Sequence, residues 1–199
     1  MWARVKTAIK AARHLRRLRA VRGDDDLPEF GALAGRRRAR LLETHDGDTM
    51  KVAIVEGGRV RKVTIRVLGV DTPEVRARDP AEKAAGIRAR DFVAAWALPA
   101  QFSVGGAYAE ADLKRAYAEE PVMLDVDFAG RDKYGRALGA VYKPGGQTSL
   151  SDELVAAGHA VAYDGGTKAS FSKTPVCALA DALTESPSLH GRPPTPRAR

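Results

Sequence analysis

The sequence predicts a mainly β fold with helices, of the α+β class: a small closed barrel of five strands with two to three packed helices, preceded by a basic N-terminal helix. Three observations predict it. Val63, Ile65 and Val67, and later Val122, Leu124, Val126 and Phe128, recur at the two-residue period of strands with one buried face. Asp46-Gly47-Asp48 and Gly57-Gly58 are hairpin signals between strand-like runs. Only a few helix-length segments interrupt the strands, which favours a closed barrel over a βαβ sheet.

Residues 1–22 contain no acid, and Trp2, Val5, Ile9, Ala12, Leu15 and Leu18 recur at helical spacing among eight Lys and Arg residues. This basic amphipathic helix leaves three readings open: an organelle-targeting presequence, a helix lying on an anionic membrane, or an arm that grips phosphates. Asp24-Asp25-Asp26-Leu27-Pro28 breaks the helix, and the stretch to Gly35 reads as a linker. Arg36, Arg37, Arg38 and Arg40 lead into the first strand, from Leu41. A second strand follows the Asp46-Gly47-Asp48-Thr49 turn, and a third runs from Gly57-Gly58 to Asp71, ended by Pro73.

Asp79-Pro80-Ala81-Glu82 carries the residue types of a helix start, and Pro99 stops that helix near Leu98, with Phe92, Val93 and Trp96 as its buried stripe. Residues 99–120 read as a glycine-containing loop and a short polar helix around Leu113. A strand over residues 122–128 turns at Asp132-Lys133-Tyr134-Gly135-Arg136 into another from Ala137 to Tyr142. Ser149 or Ser151 caps a helix that ends at Gly158, and a short strand holds Val161 and Tyr163. Thr174-Pro175 starts a short last helix, and the Pro-, Ser- and Arg-rich tail from about Glu185 reads as disordered. The expected division is a basic N-terminal segment and linker (1–37), one domain (38–183) and a tail (184–199).

At 199 residues the chain suits one well-formed core with extensions. No apolar run reaches the roughly 18 residues that span a bilayer. No apolar stretch follows the N-terminus as a secretory signal requires. An intracellular monomer is expected, with a mitochondrion or another organelle left open by the N-terminal helix. The single cysteine, Cys177, excludes an internal disulfide framework and a Cys-based zinc site, and reads as a small buried hydrophobe. The net charge of +8 is unevenly placed: residues 1–40 carry 12 Lys/Arg against 4 Asp/Glu, and residues 41–183 carry 18 against 20. Nucleic-acid contact by the domain therefore rests on where individual arginines lie, not on overall charge.

Those arginines fall beside acids. Asp46 and Asp48 lie at one turn, Asp71 and Glu74 at the end of a strand, and Arg66 and Arg136 on strands that lead to or from these turns. Carboxylates and hydroxyls without His or Cys ligands are hard oxygen donors, suited to Ca²⁺ or Mg²⁺ rather than Zn²⁺. Guanidinium forks hold a phosphate and stabilise its developing charge, while a spare carboxylate orients or deprotonates water. Phosphodiester hydrolysis needs this combination.

Asp46-Gly47-Asp48-Thr49, Arg66, Val70-Asp71-Thr72-Pro73-Glu74 and Asp132-Lys133-Tyr134-Gly135-Arg136, in this order, resemble the signature of the staphylococcal-nuclease family. Leu154-Val155 and Gly158-His159-Ala160 resemble a helix end of that family, so the likeness spans about residues 38–170. It implies a five-stranded OB-type barrel and Ca²⁺-dependent endonucleolytic cleavage of DNA or RNA, with Mg²⁺ a poorer fit. It implies Asp48 and Asp71 as carboxylate ligands and Thr72 as a carbonyl ligand, with Asp46 near the metal. Glu74 becomes the base or water-positioning group, and Arg66 and Arg136 bind and stabilise the phosphate. Lys133, Tyr134 and Tyr163 would line the nucleotide site, where a ring can stack a base. Two departures stand out: Arg88 holds the third place of Gly86-Ile87-Arg88-Ala89, where the family often has glutamate, and residues 99–120 look inserted. His45 and His159 are expected to be structural. The competing functions are a catalytically silent nucleic-acid- or protein-binding module and a membrane-anchored protein whose basic helix is its main working part.

Overall fold

A computed structural model of the chain describes residues 2–21, 33–166 and 171. The expected helix break at residues 24–28, residues 29–32 of the linker after it, Cys177, the helix at Thr174-Pro175 and the tail from Glu185 lie outside the described residues. In chain order the elements are α1 (Trp2–Arg19), β1 (Gly35–Thr44), β2 (Thr49–Glu56), β3 (Arg59–Val67), β4 (Gly69–Asp71) and α2 (Pro80–Ala97). There follow α3 (Glu110–Glu119), β5 (Met123–Arg131), β6 (Ala137–Tyr142), α4 (Leu150–Ala156) and β7 (Val161–Tyr163).

The strand periodicity closes as expected. β1, β2, β3, β6 and β5 form a closed barrel in that order, and β4 pairs with β7 in a separate two-stranded sheet. Taken as five barrel strands the order is 1-2-3-5-4, the OB arrangement, with β3 parallel to β6 and the other barrel pairs antiparallel. Leu41, Val52, Ile54, Ile65, Val126 and Val141 point inward and are wholly buried. The helices follow their caps. Asp79 accepts the Glu82 amide at 2.9 Å at the start of α2, and Ser149 and Asp152 form a reciprocal capping box on α4.

Three expectations change. β1 begins at Gly35 rather than near Leu41, because Arg37 and Arg38 pair with Glu56 and Asp125 on the neighbouring strands and so enter the ladder. The third strand does not continue to Asp71: the chain turns at Leu68, Gly69 adopts φ +84°, and Ser151 Oγ donates to the Leu68 carbonyl. That break lifts β4 off the barrel onto β7. Gly47 does not supply the positive φ of a tight two-residue hairpin turn. It is small because a Cβ there would meet Ala89 Cβ and Thr72 Cγ2 at 2.9 Å, so the turn lets α2 come close.

The residues 99–120 carry α3, which packs on β1. Arg40, only 1% exposed, binds carbonyls at the C-terminal ends of α1 and α3: Leu18 at 3.3 Å and Arg19 at 2.7 Å, Tyr117 at 2.8 Å and Ala118 at 3.1 Å. A buried guanidinium suits two such ends, since both present partial negative charge.

Candidate active site

The register of the β2–β3 hairpin sets Thr49 across from Arg66, which brings the Asp46–Asp48 turn beside the end of β3. The Val67 amide donates to the Asp48 carbonyl at 2.7 Å and fastens the turn there. Side chains then finish the connection to the loop after β4. Asp48 Oδ2 accepts the Thr72 amide at 3.1 Å, and Asp46 Oδ1 accepts the Val75 amide at 3.1 Å. Two turn carboxylates thus clamp the main chain on either side of Pro73-Glu74.

Arg66 lies between Asp48 and Asp71. Its guanidinium pairs with Asp48 and, at 2.7 Å, with Asp71 Oδ1. Arg66, Asp46 and Asp48 are nearly buried and Asp71 completely so. Asp48 and Asp71 therefore flank one guanidinium in a desolvated region, with Asp46 buried near Asp48. Burial is the largest effect on Asp46 and pushes its carboxyl above the ordinary range; the Val75 amide and His45 oppose it, and the charges of Glu74 and Asp48 add to it. Glu74 itself is exposed, at the rim.

The site fits a hard cation. Its donors are carboxylate, hydroxyl and main-chain oxygens; negative charge outnumbers positive; and Thr72 Oγ1 is buried without a hydrogen-bond partner among the described residues. No group of three or more His, Cys, Asp or Glu side chains converges on one metal position among the described residues. An ion here would rest on two carboxylates and the main chain.

Lys133, Tyr134 and Arg136 form a neighbouring cluster. Asp132 Oδ1 accepts the amides of Tyr134 and Arg136, both at 2.9 Å, and Arg136 Nε donates to Asp132 Oδ2 at 2.7 Å. Tyr134 is 72% exposed, with the Lys133 ammonium 5.1 Å and the Arg136 guanidinium 5.6 Å from its ring centre. These side chains do not touch Arg66. They approach it through the parallel pairing of Arg66 with Leu138, two residues beyond Arg136. Tyr134 and Arg136 line a groove of about 210 Å³ with Lys62, Thr64 and Arg131. Arg66 instead opens into a cleft of about 690 Å³ shared with Leu68, Leu138 and Tyr163. Tyr163 reaches it because β7 runs antiparallel to β4, and its hydroxyl donates to the Gly166 carbonyl at 2.8 Å.

Sequence reasoning missed the residues that hold this site from behind. Gly86 of α2 lies against the main chain of Glu74, Ser151 pins the Leu68 turn, and Leu138 lines the cleft. A glycine inside a helix was the available signal for the first. His159 packs on Phe92, with ring centres 4.8 Å apart; burial and then Arg88 hold its pKa below the ordinary histidine range.

An OB-type barrel with acids and arginines at its mouth defines a module of nuclease type or one that binds nucleic acid. The chain belongs to the family described as staphylococcal nuclease homologue, whose model matches residues 64–181. Arg66, Asp71, Glu74 and Arg136 lie inside the match, while Asp46 and Asp48 precede it. No curated protein matches the chain.

Proposed function

We propose that the protein is a Ca²⁺-dependent endonuclease that hydrolyses phosphodiester bonds of DNA or RNA. The observation that carries this reading is the buried Asp48–Arg66–Asp71 arrangement, with Glu74 exposed at its edge. Asp48, Asp71 and the Thr72 carbonyl would hold Ca²⁺, which fits an irregular oxygen set better than Mg²⁺, whose geometry is stricter. When bound, such an ion supplies Lewis-acid polarisation of a phosphate oxygen.

The chain's own groups do the rest. Arg66 exchanges a carboxylate partner for a phosphate oxygen and donates to the charge that builds there. Glu74, at the solvent edge, accepts a proton from the attacking water or orients it. Arg136, with Asp132 fixing its direction, binds phosphate from the neighbouring groove. Lys133 and Tyr134 flank the strand there, and Tyr163 presents a ring to a base in the larger cleft.

One observation favours a second reading. Arg66 and Arg136 are both engaged by acids of the chain, as in a module that binds nucleic acid without cutting it. Cleavage of single- and double-stranded DNA and of RNA by the purified chain, with Ca²⁺, Mg²⁺ or chelator, separates the two. Ca²⁺-dependent internal cutting is expected. Binding without cutting under every condition selects the second reading.

A further inference from the structure

We propose that α1, the outer face of β3 and the β5–β6 turn form a phosphate-binding track that carries the nucleic acid strand away from the candidate site. This rests on the nucleic-acid reading above.

The helix is built into the domain. Leu18, 1% exposed, packs with Leu42 and Ala53, and Val21, Val55, Val60 and Met123 surround them. Arg40 holds the last carbonyls of the helix, and the Arg17 guanidinium donates to the Gly58 carbonyl at the β2–β3 turn. The C-terminal end of the apolar stripe, at Leu18, is therefore packed on the barrel. What faces outward is basic: Lys10, Arg13 and Arg16 are exposed, and residues 1–22 offer no acid to neutralise them.

The outer face of β3 joins this helix to the site. Val60, Lys62, Thr64 and Arg66 alternate with the inward Val63, Ile65 and Val67, so they share one side of the strand. Val60 lies under α1, Lys62 and Thr64 line the groove with Arg131, Tyr134 and Arg136, and Arg66 is in the site. At roughly 3.3 Å per residue this run covers about 20 Å. That equals about six phosphates of one duplex strand at 3.4 Å each. Exposed basic residues of α1 thus lie at the far end of a path that begins at Arg66. Charge complementarity and continuity with the site select a polyphosphate backbone as the occupant.

The test compares the full chain with K10Q/R13Q/R16Q, and with R13K/R16K as the charge-preserving control; matching thermal midpoints establish folding. Affinity is measured for a duplex of about 30 base pairs and for one of about six, across a salt series. The wild type should prefer the long duplex. K10Q/R13Q/R16Q should lose about tenfold or more of that preference, with a salt slope lower by about 2–3, roughly one per phosphate contact removed, and R13K/R16K should keep it. An unchanged preference and slope in K10Q/R13Q/R16Q overturns the track. So does binding to phosphatidylserine vesicles that this variant loses while its DNA affinity persists, which would assign α1 to a membrane surface. Loss of the preference in K10Q/R13Q/R16Q, beside a wild type that prefers the long duplex and never cuts, would uphold the track and discard the nuclease.

Discussion

Gly86 of α2 rests directly on the main chain of Glu74: a Cβ at position 86 would lie 2.6 Å from the Glu74 carbonyl carbon and 2.7 Å from the Val75 amide nitrogen. Replacing a helical glycine by alanine ordinarily gains about 1 kcal/mol of helix propensity. Here the methyl group must push the Glu74 loop away. Gly86→Ala should lower turnover by about 10²-fold, the scale of a misplaced catalytic group. Substrate affinity should change little, because Arg66 and Arg136 lie on other elements. Separate measurement of kcat and KM checks this.

Arg66 pairs with both Asp48 and Asp71. Arg66→Ala leaves two buried carboxylates without their counter-charge, a loss of about 3–5 kcal/mol of stability. Turnover should fall by about 10² to 10³. Denaturant unfolding with and without Ca²⁺ checks the first part, and the ion should restore part of the lost stability.

Ca²⁺ that binds only the folded chain raises its stability by about 2.7 kcal/mol at 100 times the dissociation constant. The thermal midpoint should therefore rise with Ca²⁺. Asp48→Asn should abolish the rise, although its amide oxygen can still accept the Thr72 amide.

Tyr117 ties α3 to the barrel from within. Burial, the largest cause, pushes its phenol up to about 12; the Thr44 contact opposes this and Asp91 adds to it. Between pH 10 and 12 the folded state keeps a proton that the unfolded chain has lost. The stability this group contributes is thus fully present below pH 10 and is lost as pH rises through about 12. Tyr117→Phe should flatten that alkaline decline, as read from denaturant midpoints over the same range.

Much of the site was legible because its chemistry is local in sequence. Pro73 marks the end of the strand and sets Asp71 and Glu74 at its exit, and the β2–β3 hairpin brings Asp48 to Arg66 by register alone. The barrel followed from alternation and hairpin signals. What stayed hidden depends on distant partners. Arg36–Arg38 look like a solvated run until Asp125 and Glu56 arrive from β5 and β2. The split between β3 and β4 rests on Ser151, 83 residues away from Leu68. The docking of α1 depends on Arg40 and on apolar residues that the barrel turns outward. The clamp of Asp46 on the Val75 amide likewise has no signature in spacing, since it joins two loops 29 residues apart.

The most direct test of the central claim is single-turnover cleavage by Glu74→Gln beside the wild type, at saturating Ca²⁺ and with substrate affinity measured in parallel. The substitution keeps shape and removes a charge and a base. The rate should collapse while affinity stays within a few-fold. Unchanged cleavage, or a loss of affinity with the rate intact, would contradict that claim and leave Glu74 a structural residue of the loop.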